Sequence, residues 1–284
     1  PWPEKQSVRQ GIRQPDLRSG HERMFPRGGR MEFCFLHRPD GGANMKQKVL
    51  FVAHMLRGHV LVFHLPYMKW FQEQGYEVHL CSCNDTGKPV SEVPYCDRFF
   101  DLPFQRSPFG RQNLQVYREI KKLVDREDYA LIHCHTPVGG MVGRLAARGA
   151  RKRGTRVLYT AHGFHFFTGA PLKNWLLFYP AERFLARFTD LLITINREDH
   201  ALAERKFRLK KGGNVVYVPG IGIDPDKIDR VALQPIRQEL HIPEGDFLML
   251  SVGELNDNKN HALAPQTICS TPYFIPKSTF KTCK

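Results

Sequence analysis

The sequence predicts an α/β domain built on a Rossmann-like parallel sheet with helices on both faces. Two observations carry this. Short unbroken runs of Val, Ile, Leu and Phe recur at strand length through the middle of the chain, and segments of helical period separate them. The runs are apolar throughout rather than alternating, as expected for strands buried on both faces.

The predicted strands are 48–53, 77–82, 98–102 (the weakest), 130–135, 156–161, 191–196 and 215–219. The predicted helices are 61–74, 113–126, 138–148, 172–188 and 197–207. Gly75 and Gly149 follow the first and third helices, where a left-handed residue is favoured. Asn113 is placed to cap the second helix. Thr136 and Pro137 supply the cap and first position of the third. No internal repeat is present.

The 284 residues carry 42 Lys+Arg against 28 Asp+Glu, a formal charge of +14. That balance favours anionic partners without choosing among them. The basic residues are scattered and no nucleic-acid motif is present, so nucleic acid is not an expected partner. No apolar run approaches the ~20 residues of a membrane span. The seven cysteines include no C-x-x-C pair. Cys81, Cys83 and Cys134 fall in strand-like runs, where a thiol packs as a small hydrophobe. A reduced, cytoplasmic protein without disulfides is expected.

The two ends differ from the middle. Residues 1–44 are rich in Arg, Gly and Pro and are expected to be a disordered, non-native extension, with Met45 as the natural start. After His261 the prolines and β-branched residues of 262–284 deny the helix that the pattern calls for, so this segment reads as an aberrant tail. The expected organisation is a Rossmann-like domain over 45–220, then a linker and the start of a second domain over 221–261.

An open parallel sheet places its ligand crevice at the carboxyl ends of its strands. His54-Met-Leu-Arg-Gly-His59 follows the first strand, and Gly58 would let backbone N–H groups approach an anion, or simply turn the chain. His135 ends the fourth strand. Gly139 and Gly140 beyond it permit close packing or close ligand approach. His162 and Gly163 follow the fifth strand. A neutral imidazole there can donate to a sugar hydroxyl or accept a proton. Phe164, Phe166 and Phe167 would wall a pocket or fill the core. Gly253 and Lys259 follow a further buried strand and could meet a diphosphate. No metal site is expected: on a strand His133 and His135 share a face while Cys134 points away, and two ligands are not a site.

Taken together, these segments resemble the family 4 glycosyltransferases, in particular bacterial enzymes of capsule and exopolysaccharide biosynthesis. The resemblance spans about Met45 to His261. It rests on Val49-Leu-Phe-Val-Ala53 with the following Gly-His, Asp128-Tyr-Ala-Leu-Ile-His-Cys-His-Thr136, Thr160-Ala-His-Gly163, Asp190-Leu-Leu-Ile-Thr-Ile-Asn196, Val216-Tyr-Val-Pro-Gly-Ile-Gly-Ile-Asp224, and Ser251-Val-Gly-Glu-Leu255 with Lys259. It implies the acceptor-side half of a GT-B fold, with the second, donor-binding domain only begun. The implied activity is retaining, hexosyltransferase-type sugar transfer without cofactor or metal. The donor would be a nucleotide sugar and the acceptor a lipid-linked or other glycan. His162 matches the catalytic histidine at the donor sugar. Gly58, Gly163, Gly253 and Lys259 match donor-binding positions. His59, His135, Phe164 and His165 are acceptor-side candidates. Glu254 stands where many relatives carry arginine, and the family's E-x7-E segment would fall beyond His261. The expectation is therefore a chain inactive by itself. The competing expectation is a non-catalytic remnant that binds acceptor or partner. The helix 172–188, with Trp175, Leu176, Leu177, Phe178 and Tyr179 beside Lys173, Arg183 and Arg187, fits either a core helix or a peripheral contact with an anionic membrane surface on the inner face of the plasma membrane.

Overall fold

The computed structural model describes residues 46–220 continuously and, beyond them, residues 236–243, 245, 246, 251, 253, 260, 261 and 263. The chain divides into two units, Pro1–Gly222 and Ile223–Lys284. The segments 1–44 and 264–284, Lys259 and Glu254 lie outside the described residues. In the second unit the helical turn Ile236–Glu239 is described, and Gly253 is exposed.

The first unit is a seven-stranded sheet. Its strands are β1 (Lys48–Val52), β2 (Glu77–Ser82), β3 (Arg98–Asp101), β4 (Tyr129–His135), β5 (Arg156–Ala161), β6 (Leu191–Thr194) and β7 (Asn214–Tyr217). Their order is β3-β2-β1-β4-β5-β6-β7, and every pair is parallel. All seven predicted strands are present. The order reverses between β1 and β4, which is the switch point where doubly wound sheets take their ligands.

The helices are α1 (Leu65–Glu73), α2 (Gln112–Arg126), α3 (Pro137–Ala146), α4 (Arg148–Lys152), α5 (Leu172–Leu185) and α6 (Arg197–Lys206). Successive residues of β1 enter opposite core layers. Leu50 and Val52 meet Val116 and Ile120 of α2 and Val138 and Val142 of α3. Val49 and Phe51 meet Met68 and Phe71 of α1 on the other face. Burial on both faces is what removed the alternation from the sequence.

Three local expectations are corrected. The first helix is not one element over 61–74: it opens as a π turn, Leu56–Val60, continues through Leu61–Phe63, and breaks at His64 before α1. Asn113 does not cap α2. It is buried inside the first turn, where its side chain accepts from the Gln105 N–H at 2.9 Å and donates to the Ser107 carbonyl at 2.7 Å, tying down the preceding loop. Gly149 does not end α3. It lies within α4, and the left-handed residue that follows is Gly154 at φ 102°. Gly75, at φ 84°, does terminate the first helical segment.

At α3 the glycines serve packing. A Cβ on Gly140 would lie 2.4 Å from the Tyr159 ring, and one on Gly143 would lie 2.5 Å from Cys134 Sγ. Both are far inside contact distance, so only glycine lets α3 settle onto β4 and β5. Thr136 caps α3 as expected, its hydroxyl accepting from the Gly139 N–H at 3.3 Å. Beneath α3 runs a buried ion pair. Arg144 donates to Glu182 of α5 at 2.8 Å and to the Gly140 carbonyl at 2.7 Å, with its guanidinium 3.8 Å above the Tyr159 ring.

Candidate functional site

Histidines from four segments converge at the carboxyl ends of β1, β4 and β5. His59 lies in the π turn, His64 at the break before α1, His135 at the end of β4, and His162 just beyond β5. One ring nitrogen from each lies within 4.8 Å of the others. The ring centroids of His64 and His135 are 3.7 Å apart, those of His59 and His162 4.5 Å, and those of His59 and His64 4.7 Å. His133 stands behind His135, centroids 4.0 Å apart, and shares a 2.9 Å hydrogen bond with the Thr160 hydroxyl.

The local sequence explains the gathering. A π turn bonds residues five apart, and here the Leu61 N–H donates to the Leu56 carbonyl. The widened turn lets His59 and His64, five residues apart, meet on one face. His135 keeps the inward side of β4, stacked parallel to Phe51 at 6.1 Å. His162 is held by the loop behind it. The Phe164 N–H donates to buried Asp199 at 2.9 Å, and Thr168 donates through both its N–H and its hydroxyl to Glu198 at 2.6 Å. Both acids lie in the first turn of α6, so that helix fixes the loop carrying His162 and Gly163. Gly163 has φ 121°, a conformation that leaves no room for a side chain's preferences.

The rings are short of partners. His162 Nε2 meets His135 Nδ1 at 3.5 Å. His59 Nε2, both nitrogens of His64, His135 Nε2 and His162 Nδ1 are buried without a hydrogen bond among the described residues. Each such orphan costs about 1–3 kcal/mol. Burial, with repulsion among the rings, holds them neutral. The pKa of His59 falls to about 3 and that of His64 to about 2. Burial alone takes His162 to about 4. His133 falls to about 3, and His135 lies well below the usual range, for the same reasons. At neutral pH the cluster therefore offers uncharged imidazoles, each able to accept a hydrogen bond at one nitrogen and donate one from the other but not to act as a cation.

The other sequence-predicted positions fall around this cluster or away from it. Gly58 is in the π turn, and the N–H groups of Arg57 and Gly58 donate to Asp85 at 2.6 and 3.2 Å. Phe164 is not a pocket wall. It is buried and stacked on Phe166, centroids 4.8 Å apart, against Phe207. His165 is exposed and packs on Phe178, outside the cluster. His64 and Asp85 were not singled out from sequence. The spacing argument against a metal counted two histidines on β4, whereas the fold adds three from other segments to His135.

The profile of the family described as "Glycosyl transferase 4-like" matches residues 48–196, just over half of the 284 residues and all of the strands that bear the cluster. The chain belongs to the glycosyl transferase 4-like family. Within reach of that family are two curated relatives. A Bacillus subtilis (strain 168) protein provisionally named glycosyltransferase EpsD is 48% identical over 219 residues, covering 76% of this chain and 55% of its own. The Escherichia coli UDP-Gal:alpha-D-GlcNAc-diphosphoundecaprenol alpha-1,3-galactosyltransferase is 27% identical over 157 residues, covering 52% of this chain and 40% of its own. The chain thus spans about half the length of the curated relatives it matches. A solved glycosyltransferase from Rickettsia africae ESF-5 aligns with 14% identity and a TM-score of 0.42 over 70% of this chain and 51% of that one. The fold assignment stands on the strand order itself.

Proposed function

We propose that this chain is the acceptor-side part of a retaining glycosyltransferase that moves a sugar from a nucleotide-sugar donor to a lipid-linked or glycan acceptor in surface polysaccharide synthesis. The observation that carries the reading is the position of His162, a neutral ring at the carboxyl end of β5, beside the switch point, with one nitrogen unpaired among the described residues, in a chain of this family. The E. coli relative's name specifies a UDP-sugar donor and a diphosphoundecaprenol-linked acceptor, and the same chemistry is proposed here. His162 would contact the donor sugar near the reacting carbon, with His59 and His135 toward the acceptor. Gly58 and Gly163 would serve the donor's diphosphate. Retention follows from the resemblance to family 4. No cofactor is required in this scheme.

The test is incubation of the protein with labelled nucleotide sugars and a diphosphoundecaprenol-linked sugar, followed by extraction of the lipid. The expected result is label in the lipid phase that falls about 100-fold or more in His162→Ala, the usual scale for losing a proton-handling group. Label unaffected by the substitution would remove His162 from the mechanism. Acceptor binding without any transfer would favour the non-catalytic, acceptor-binding reading.

A lipid-linked acceptor implies work at a membrane surface, on the inner face of the plasma membrane. Among the described residues no helix is long and apolar enough to cross a bilayer. On α5, the predicted apolar set divides. Trp175, Phe178 and Tyr179 pack on the core. Leu172 is 72% and Leu176 70% exposed, with Leu177 and Phe184 also outward beside exposed Lys173, Arg183 and Arg187. Such a face suits peripheral contact with anionic lipid. The protein is expected to float with vesicles containing phosphatidylglycerol and not with pure phosphatidylcholine, and Leu172→Glu with Leu176→Glu should abolish flotation. Equal behaviour on both vesicle types would discard the idea.

A further inference from the structure

We infer that His59, His64, His135 and His162 form a binding site for a zinc-class divalent metal ion. Three observations support it. Four imidazoles from four segments, one of them the end of β4, present one nitrogen each within 4.8 Å of one another. Two of the four are buried, His64 at 2% and His135 at 1% exposure, and both nitrogens of His64 and Nε2 of His135 have no hydrogen-bond partner among the described residues. A π turn, a local departure that recurs at functional sites, is what brings His59 and His64 together. Unpaired buried imidazoles are unusual, and a metal ion is the one ligand that engages four nitrogen lone pairs at once.

The chemistry of the donor set narrows the ion. Nitrogen-only ligation without a carboxylate disfavours magnesium, calcium and manganese and suits zinc, cobalt, nickel or copper. A tetrahedral zinc centre has Zn–N bonds of about 2.0–2.1 Å, which puts its nitrogens ~3.4 Å apart. Rotation of the rings about their side-chain torsions would close the present spread, because among the described residues no hydrogen bond fixes the His64 ring and His59 is held by ring contacts. Burial keeps the rings in the neutral form that ligates. An anion is a poorer occupant of the same space, since the rings are uncharged there and supply at most one N–H each. The ion would clamp the loop after β1 to the ends of β4 and β5. The site shares His59, His135 and His162 with the sugar-transfer reading, and its test reads metal binding rather than activity, so that either can fail without the other.

Tag-free protein stripped with chelator is titrated with Co²⁺ and followed by visible absorption, then challenged with Zn²⁺. The expected result is a ligand-field band of tetrahedral intensity that saturates at a single equivalent, is bleached by Zn²⁺, and accompanies a rise in melting temperature. His64→Gln and His135→Gln remove buried ligands and can disturb folding. The deciding variant is therefore His59→Gln with His162→Gln, which alters the two rings at the rim, its fold checked by far-ultraviolet circular dichroism. A folded double variant that loses the band and the thermal shift supports the site. Absence of a saturable band in the unaltered protein overturns it, and so does a band that survives the double substitution.

Discussion

Glu182→Leu is expected to destabilise the sheet domain by about 3–5 kcal/mol, the usual cost of leaving one member of a buried ion pair alone. Arg144 is 1% exposed, and Glu182 is its only carboxylate partner among the described residues. Its other contacts are a carbonyl and the face of an aromatic ring, neither of which carries a full negative charge. For a domain of this size the loss corresponds to a fall in melting temperature on the order of 10 °C. Urea denaturation of the single variant and of Arg144→Met with Glu182→Leu separates charge from packing. The double variant should recover most of the loss, because burying neither charge removes the desolvation penalty. A single variant that costs under about 1 kcal/mol would mean that the pair behaves like an exposed one.

Acid should unfold the metal-free protein well above the pH at which carboxylates titrate. His59, His64, His133, His135 and His162 are held neutral in the folded state, with pKa values lowered from 6.5 to about 3, about 2, about 3, well below normal and about 4 respectively. The unfolded chain takes up these protons as pH falls through 6.5, while the folded chain does not. Stability is therefore complete above about pH 6.5 and declines as pH drops toward the folded values. Each ring contributes up to ~1.4 kcal/mol per pH unit in that window. Five rings set a ceiling of ~7 kcal/mol per unit, so a typical margin of ~5–15 kcal/mol is gone within about two units. A circular-dichroism titration in the presence of chelator should show unfolding near pH 5. His64→Phe should move the midpoint to lower pH by removing one proton acceptor from that balance. Stability unchanged between pH 7 and pH 4.5 would show that these rings protonate without unfolding the domain.

The fold was legible because a doubly buried strand leaves an unmistakable run, and Val49 to Val52 or Leu131 to Cys134 has no polar residue except His133 to blur it. What stayed hidden depended on tertiary contacts. Asn113 has the chemistry of a cap, yet the loop before α2 takes its side chain first. Gly149 has the chemistry of a helix stop, but α4 restarts one residue earlier. Trp175 and Leu176 are both large and apolar, yet on α5 the first packs against the core and the second is exposed. At the site, His135 and His162 could be read from their positions at strand ends, and His59 from the turn after β1. His64 could not, because a helical period runs through it unbroken, and nothing in that period marks the π turn. Ligands gathered from separate loops have no common spacing for a sequence to display.

The first turn after β1 has its own tenant. The amides of Arg57 and Gly58 face outward in the manner of an anion seat, and the carboxylate of Asp85 already sits on them. A side chain tethered in this way acts at an effective concentration on the order of millimolar or more. Any phosphate that reaches these amides must outcompete it, so the occupancy of that seat is an exchange rather than an addition. The segment after β2 has a second hold that such an exchange leaves in place, the Asn84 N–H donating to Asp101 at 2.9 Å.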